Sequence, residues 1–205
     1  MTREGGVVED VAMALLSDPA KNDLLVLVDG LDRELGTATK MQAHVDGMLH
    51  RAFSVVLVRD GAHGPEVLLS QRAKGKYHSA GLWANSCCSH PRAGETTLEA
   101  AARRVPEELG CEVVGLREVG SFAYRAVFAN GLVEHEYDHV LVGRPEGEVV
   151  PDPSEVSEVR WADVETVARE LAQKPEAFAA WAPMVLSVAL RDLWVPKSYE
   201  CHRAR

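Results

Sequence analysis

Cysteine is scarce in this sequence, basic residues are outnumbered, and neither a long apolar run nor an internal repeat is present. The four cysteines, Cys87, Cys88, Cys111 and Cys201, are too few for a disulfide framework in a chain of 205 residues, and the first two are adjacent. Reduced thiols are therefore expected. Lysine and arginine total 22 against 31 aspartates and glutamates, a net charge of −9. That balance excludes the basic footprint of a nucleic-acid binder and would be repelled by an anionic membrane. No stretch approaches the roughly 20 apolar residues of a membrane span, and the apolar part of MTREGGVVEDVAMALL is shorter than a secretory leader needs. The expected compartment is the cytoplasm, with no membrane and no nucleic acid among the partners. An anionic substrate would have to be caught by a local cluster of basic residues.

What is present suffices for one domain. With 46% hydrophobic residues, a chain of this size hides roughly 70% of its unfolded surface. Residues 1–20 carry little pattern and read as a loosely ordered extension, 21–194 as the domain, and the polar 195–205 as a tail. LLVLVD at 24–29, FSVVLVRD at 53–60 and EVLLSQRA at 66–73 read as strands. TLEAAARRVPEELG reads as a helix started by a threonine and stopped by Gly110. Pro106 removes a helix hydrogen bond, so a kink or a fresh start is expected there. Two longer strands, 113–129 and 133–143, are joined by Asn130-Gly131, a strong hairpin signal. A short strand at 158–161 precedes helical patterns at 163–173 and 176–193. Strands and helices without strict alternation imply an α+β class.

Three short segments hold candidate metal ligands. In WANSCCSHPRAGE, Cys88 and His90 are two apart and project to one side of an extended chain, with Cys87 on the other. In VEHEYDHV, strand alternation puts Glu134, Glu136 and Asp138 on one face and His135, Tyr137 and His139 on the other. HVDGMLHRAF adds His44 and His50. Taken singly, each has an ordinary explanation: a small buried thiol, a solvated strand face, a structural histidine. Together they offer imidazole and carboxylate, a mixture suited to divalent transition metals. The basic run QRAKGK supplies Arg72, Lys74 and Lys76, and guanidinium and ammonium groups suit a diphosphate.

At these residues the sequence resembles the type I isopentenyl diphosphate isomerases. The resemblance rests on GMLHRAFSVVLV, QRAKGK, GLWANSCCSHP, RRVPEELG, SFAYRA, EHEYDH and AFAAW, in the family's order over residues 24–194. It implies a Nudix-type mixed sheet packed between helices. The region from Glu95 to Cys111 is similar to a Nudix box in Glu95, Arg103, Glu107, Glu108 and Gly110. It departs at Ser89, where that box opens on glycine, and at Arg104, which replaces a carboxylate that Nudix hydrolases use to bind metal.

The resemblance implies that His44, His50, His90, Glu134 and Glu136 hold one divalent ion, Mg²⁺, Mn²⁺ or Zn²⁺. It implies that Cys88 is a catalytic acid/base, with Glu136 and Tyr124 serving the opposite face of the substrate and Trp181 facing the reacting carbons. Glu108 would hold a Mg²⁺ bridging to the diphosphate, contacted by Lys40, Arg72, Lys76 and Arg104. The implied activity moves a double bond of a small prenyl diphosphate by adding one proton and removing another. Two rival readings are a Nudix hydrolase of a nucleoside or prenyl diphosphate, and a noncatalytic binding protein on the same scaffold. Monomer and homodimer are both open at this stage.

Overall fold

The computed structural model describes residues 24–194. The expected N-terminal extension, the C-terminal tail and Cys201 lie outside the described residues. The chain opens on an antiparallel hairpin of β1 (Leu24–Val28) and β2 (Glu34–Thr39), followed by the short helix α1 (Lys40–Asp46). Then come β3 (His50–Gly61), β4 (Gly64–Arg72), and two very short strands, β5 (Trp83–Ala84) and β6 (Cys87–Ser89). Helix α2 (Thr97–Leu109) leads into the long pair β7 (Glu112–Val127) and β8 (Val133–Glu146). β9 (Val156–Asp163), α3 (Val164–Gln173) and α4 (Ala182–Trp194) complete the fold. No helix among these residues is long and apolar enough to cross a membrane.

β3 is the hub. It runs parallel to β8 and antiparallel to β1, β4 and β6. Its side chains alternate between two buried layers, which is why it reads as an unbroken apolar run. Phe53, Val55 and Leu57, with Leu68 and Leu141, pack on Ala100, Ala101, Val105 and Leu109 of α2. Val56 and Val58, with Val67, Leu69, Val140 and Val142, pack on Val167 of α3 and on Val185, Leu186 and Ala189 of α4. Each such Val, Leu or Phe contributes about 1.5–3 kcal/mol by leaving water. The result is the expected α+β architecture, a mixed sheet between helices.

Several details differ from the sequence-based expectation. Pro106 does not break α2, which is continuous from Thr97 to Leu109. The proline sits in the last turns, where it removes a single N–H, and both helix ends are secured. Thr96 and Glu99 form a reciprocal capping box, and the Gly110 N–H donates to the Pro106 carbonyl from a left-handed φ of 66°;. The last helix begins at Ala182 and not near Glu176. Before it, Pro175–Ala177 form one 3-10 turn, and Ala179 N–H then donates to the carbonyl of Trp83 at 2.8 Å. Phe178 and Ala179 are buried there, so this segment is drawn to the sheet by apolar side chains whose spacing imitates a helix. The hairpin strand β2 and helix α1 carry too weak a pattern to be read from sequence.

Candidate active site

The imidazole and carboxylate cluster is a product of strand register. His50 opens β3 directly opposite Glu136 of the parallel strand β8. Glu134 lies two residues earlier on the same face of β8. His44 sits in α1, which ends at Gly47 with φ 64°; this left-handed turn lets the chain reverse within a few residues and deliver both His44 and His50 to one place. His90 follows β6. One ligand atom from each of His44, His50, His90, Glu134 and Glu136 lies within 4.8 Å of all the others. β8 is therefore not solvated on its acidic face. Glu134, Glu136 and Asp138 are buried, while His135, Tyr137 and His139 are half-exposed.

The donor set fits a cation. His44 Nδ1 lies 2.7 Å from the Lys40 carbonyl and His50 Nδ1 2.8 Å from that of Met48. A carbonyl only accepts, so each Nδ1 carries the hydrogen and each Nε2 presents a lone pair. Those bare nitrogens point at carboxylates: His44 Nε2 is 3.3 Å from Glu134 Oε2 and His50 Nε2 is 3.6 Å from Glu136 Oε1. His44 Nε2, His50 Nε2 and Glu134 Oε2 are buried without a hydrogen-bond partner, an arrangement that costs free energy unless a cation joins them. Burial opposes ionisation of Glu134, yet the His44 and His78 imidazoles beside it hold its carboxyl well below the usual range. Glu136 is likewise held low, against burial and the neighbouring Glu134, by His50 and His90. Burial takes His90 down to about 4, so it is neutral.

Cys88 stands beside this cluster, paired across the sheet with Ser54 of β3. Its sulfur has three polar neighbours. The Trp181 indole N–H donates to Sγ at 3.2 Å, and Asn85 Oδ1 lies 3.1 Å away. The Asn85 amide nitrogen donates to the carbonyls of Val55 and Cys87, which leaves Oδ1 free to accept from the thiol. Ser54 Oγ is 3.5 Å from Sγ and donates to Asp138 Oδ2 at 2.8 Å. Burial, with Asp138 adding to it, pushes the thiol up to about 12. Burial and Glu136 also raise Asp138 well above the carboxylate range. Tyr124, opposite Glu136 in the β7–β8 ladder, donates to its Oε2 at 2.6 Å. Cys87 faces the other layer, against α2.

The basic residues line the same cleft: Lys40, Arg72, Lys76, Arg104 and Glu108 border it together with Cys88, Glu136, Tyr124 and Trp181. Lys74 is exposed and outside it. The Arg72 guanidinium lies 5.1 Å from the Trp181 ring centroid and Lys40 Nζ 5.6 Å from that of Tyr77. Arg104 pairs with Glu107 at 2.6 Å and with Glu108. Lys76 pairs with Glu155, a cleft residue that sequence reasoning misses. Ser54, Asn85 and His78 are missed as well. Alternation places Asp138 on the correct face but gives it no role.

Residues 48–182 match the family model described as NUDIX domain. The fold is similar to that of a solved protein from Deinococcus radiodurans, with a TM-score of 0.61 at 20% identity, covering 84% of this chain and 99% of that one. It is also similar to a MutT NUDIX hydrolase from Burkholderia pseudomallei, with a TM-score of 0.53 at 21% identity, covering 68% and 96%. Those likenesses are of fold alone; the family match over residues 48–182 places this chain in the NUDIX class. In sequence it is 50% identical over 173 residues to the isopentenyl-diphosphate Delta-isomerase of Photobacterium profundum, covering 82% of this chain and 95% of that one. It is 50% identical over 159 residues to the enzyme of that name from Burkholderia multivorans, covering 77% and 87%. The chain belongs to the isopentenyl-diphosphate Delta-isomerase family.

Proposed function

We propose that this protein interconverts isopentenyl diphosphate and dimethylallyl diphosphate by protonation and deprotonation through a tertiary carbocation. The observation that carries the reading is the meeting, in one buried cleft, of a thiol held protonated and a carboxylate held ionised. Moving an unactivated double bond needs one proton delivered to a terminal carbon and one removed from another. Cys88 and Glu136 hold one transferable proton between them at neutral pH, so one acts as donor and the other as acceptor. The roles exchange in the reverse reaction. Tyr124 keeps the Glu136 carboxylate in place by donating to it. Trp181 is 4% exposed, and its indole face suits a developing cation while its bulk keeps water off.

His44, His50, His90, Glu134 and Glu136 would hold a divalent ion, with Mg²⁺, Mn²⁺ and Zn²⁺ as the candidates for this donor set. When bound, the ion supplies positive charge that offsets the two carboxylates and tunes the acidity of groups beside it. Glu108 would hold a second ion, Mg²⁺, which would supply positive charge toward the diphosphate. Arg72, Lys76, Arg104 and Lys40 bind and orient the diphosphate, which answers the need that the net charge of −9 created;. The test is incubation of purified protein with Mg²⁺ and isopentenyl diphosphate in D₂O. Dimethylallyl diphosphate carrying solvent deuterium is the expected product; phosphate release without isomerised product would establish hydrolysis instead.

A further inference from the structure

His78 is buried, lies in the segment between β4 and β5, and is one of the cleft residues without an assigned role. Its Nε2 is 2.6 Å from Glu134 Oε1. The other oxygen of that carboxylate, Oε2, is the one that faces His44 Nε2. The two oxygens of Glu134 are thus divided between a bare imidazole nitrogen in the cluster and His78 outside it. Because an ionised carboxylate only accepts, His78 must carry its hydrogen on Nε2, the reverse of the tautomer that Lys40 and Met48 impose on His44 and His50. The His78 Nδ1 lone pair is left 3.3 Å from the Ser79 hydroxyl, which can donate to it.

The ring itself is fixed. It stacks on Phe128 with centroids 4.4 Å apart and planes 13° from parallel, and meets the Tyr77 and Trp181 rings edge-on at 4.5 and 5.8 Å. A donor held this firmly sets the orientation of the carboxylate it binds. We propose that His78 is a positioning residue: it locks Glu134 so that Oε2 faces the His44, His50 and His90 cluster, and thereby sets the affinity of that cluster for a divalent ion. The role rests on the metal-dependent reading above.

Two variants separate hydrogen bonding from packing. His78→Phe keeps an aromatic ring against Phe128 and removes the donor, whereas His78→Gln keeps a donor and gives up the ring. Mn²⁺, and separately Zn²⁺, is titrated into metal-free wild type and into both variants, each shown by circular dichroism to be folded. Wild type is expected to bind about one ion. His78→Phe should bind it roughly 10–100-fold more weakly, the loss that typically follows removal of a partner supporting a metal ligand, and His78→Gln should recover most of the affinity. In the isomerase assay the kcat of His78→Phe should rise toward wild type as metal is raised, while KM changes little. Wild-type affinity in His78→Phe, or equal loss in both variants, would overturn the positioning role and leave the metal centre standing. Failure of wild type itself to bind either ion would overturn the centre, and His78 with it.

Discussion

Replacing Cys88 by alanine tests whether the thiol carries a proton or merely fills space, and the structure sets both magnitudes. Removing Sγ leaves the Trp181 indole N–H without its acceptor and Asn85 Oδ1 without the thiol. A buried polar group so abandoned costs about 1–3 kcal/mol, which for a domain of this size lowers Tm by about 2–4 °C per kcal/mol. Loss of a positioned acid or base costs about 10²-fold or more in kcat, or at least about 2.7 kcal/mol of barrier. Cys88→Ser separates the two effects, because a hydroxyl restores an acceptor for Trp181 and a donor for Asn85 but does not give up its proton as a thiol does. The serine variant should therefore regain most of the lost stability and none of the lost turnover. Cys87→Ala should cost stability alone, since that side chain packs in the α2 layer. Thermal melts and deuterium incorporation into the product, measured on all three variants, give the answer. Near-normal isomerase activity in Cys88→Ala, or inactivity in Cys87→Ala with Cys88→Ala active, would refute the reasoning.

Gly47→Ala should cost about 1–2 kcal/mol for a left-handed residue with a side chain, with a new Cβ 3.3 Å from Val133 Cγ1; because that turn delivers His44 and His50, bound metal measured by elemental analysis should fall too. Arg72→Ala and Lys76→Ala should each raise KM more than they lower kcat and weaken the salt dependence of substrate binding, read from steady-state kinetics at two ionic strengths. For the metal-free protein, His90 has a folded pKa of about 4, below its ordinary value near 6.5, so the unfolded chain binds more protons between those two pH values. Stability from this group is intact above pH 6.5 and declines as pH falls toward 4, by about 3 kcal/mol in all. Urea unfolding of wild type and His90→Gln across that range should show the wild type losing ground, and parallel curves would count against a buried neutral His90.

The strands were legible because both layers of the sheet print themselves on β3, β4 and β8 as dense apolar sequence, and α2 because its ends are chemically marked by Thr96, Glu99 and Gly110. The acidic face of β8 could be assigned by alternation but not its direction. Charged residues read as solvated unless something on the opposing strand receives them, and the register that sets His50 against Glu136 is a tertiary fact. The same holds for Trp181. Its apolar neighbours mimic a helix, and only the docking of Phe178 and Ala179 on the sheet brings the indole to Cys88. His78 and Glu155 carried no local signal, since each pairs with a residue far along the chain.

The placement of charge also argues against hydrolysis on this scaffold. The Nudix box that α2 resembles carries one further carboxylate, which hydrolases of that kind use to bind metal beside the scissile phosphate. By that resemblance Arg104 stands in its place; it pairs with both Glu107 and Glu108, while Arg103 engages Glu95 through two bonds of 2.8 Å. Arg104 is thus held by carboxylates on its own helix, and its charge offsets theirs. The carboxylates that face bare imidazole nitrogens instead lie on β8, in the cleft that Tyr124 and Cys88 also line. A cation held there would lie, by strand register, beside the Glu136 carboxylate to which Tyr124 donates. On the function proposed above, the helix with its arginine would bind the diphosphate without cutting it, which is the division of labour that an isomerase of a diphosphate ester requires.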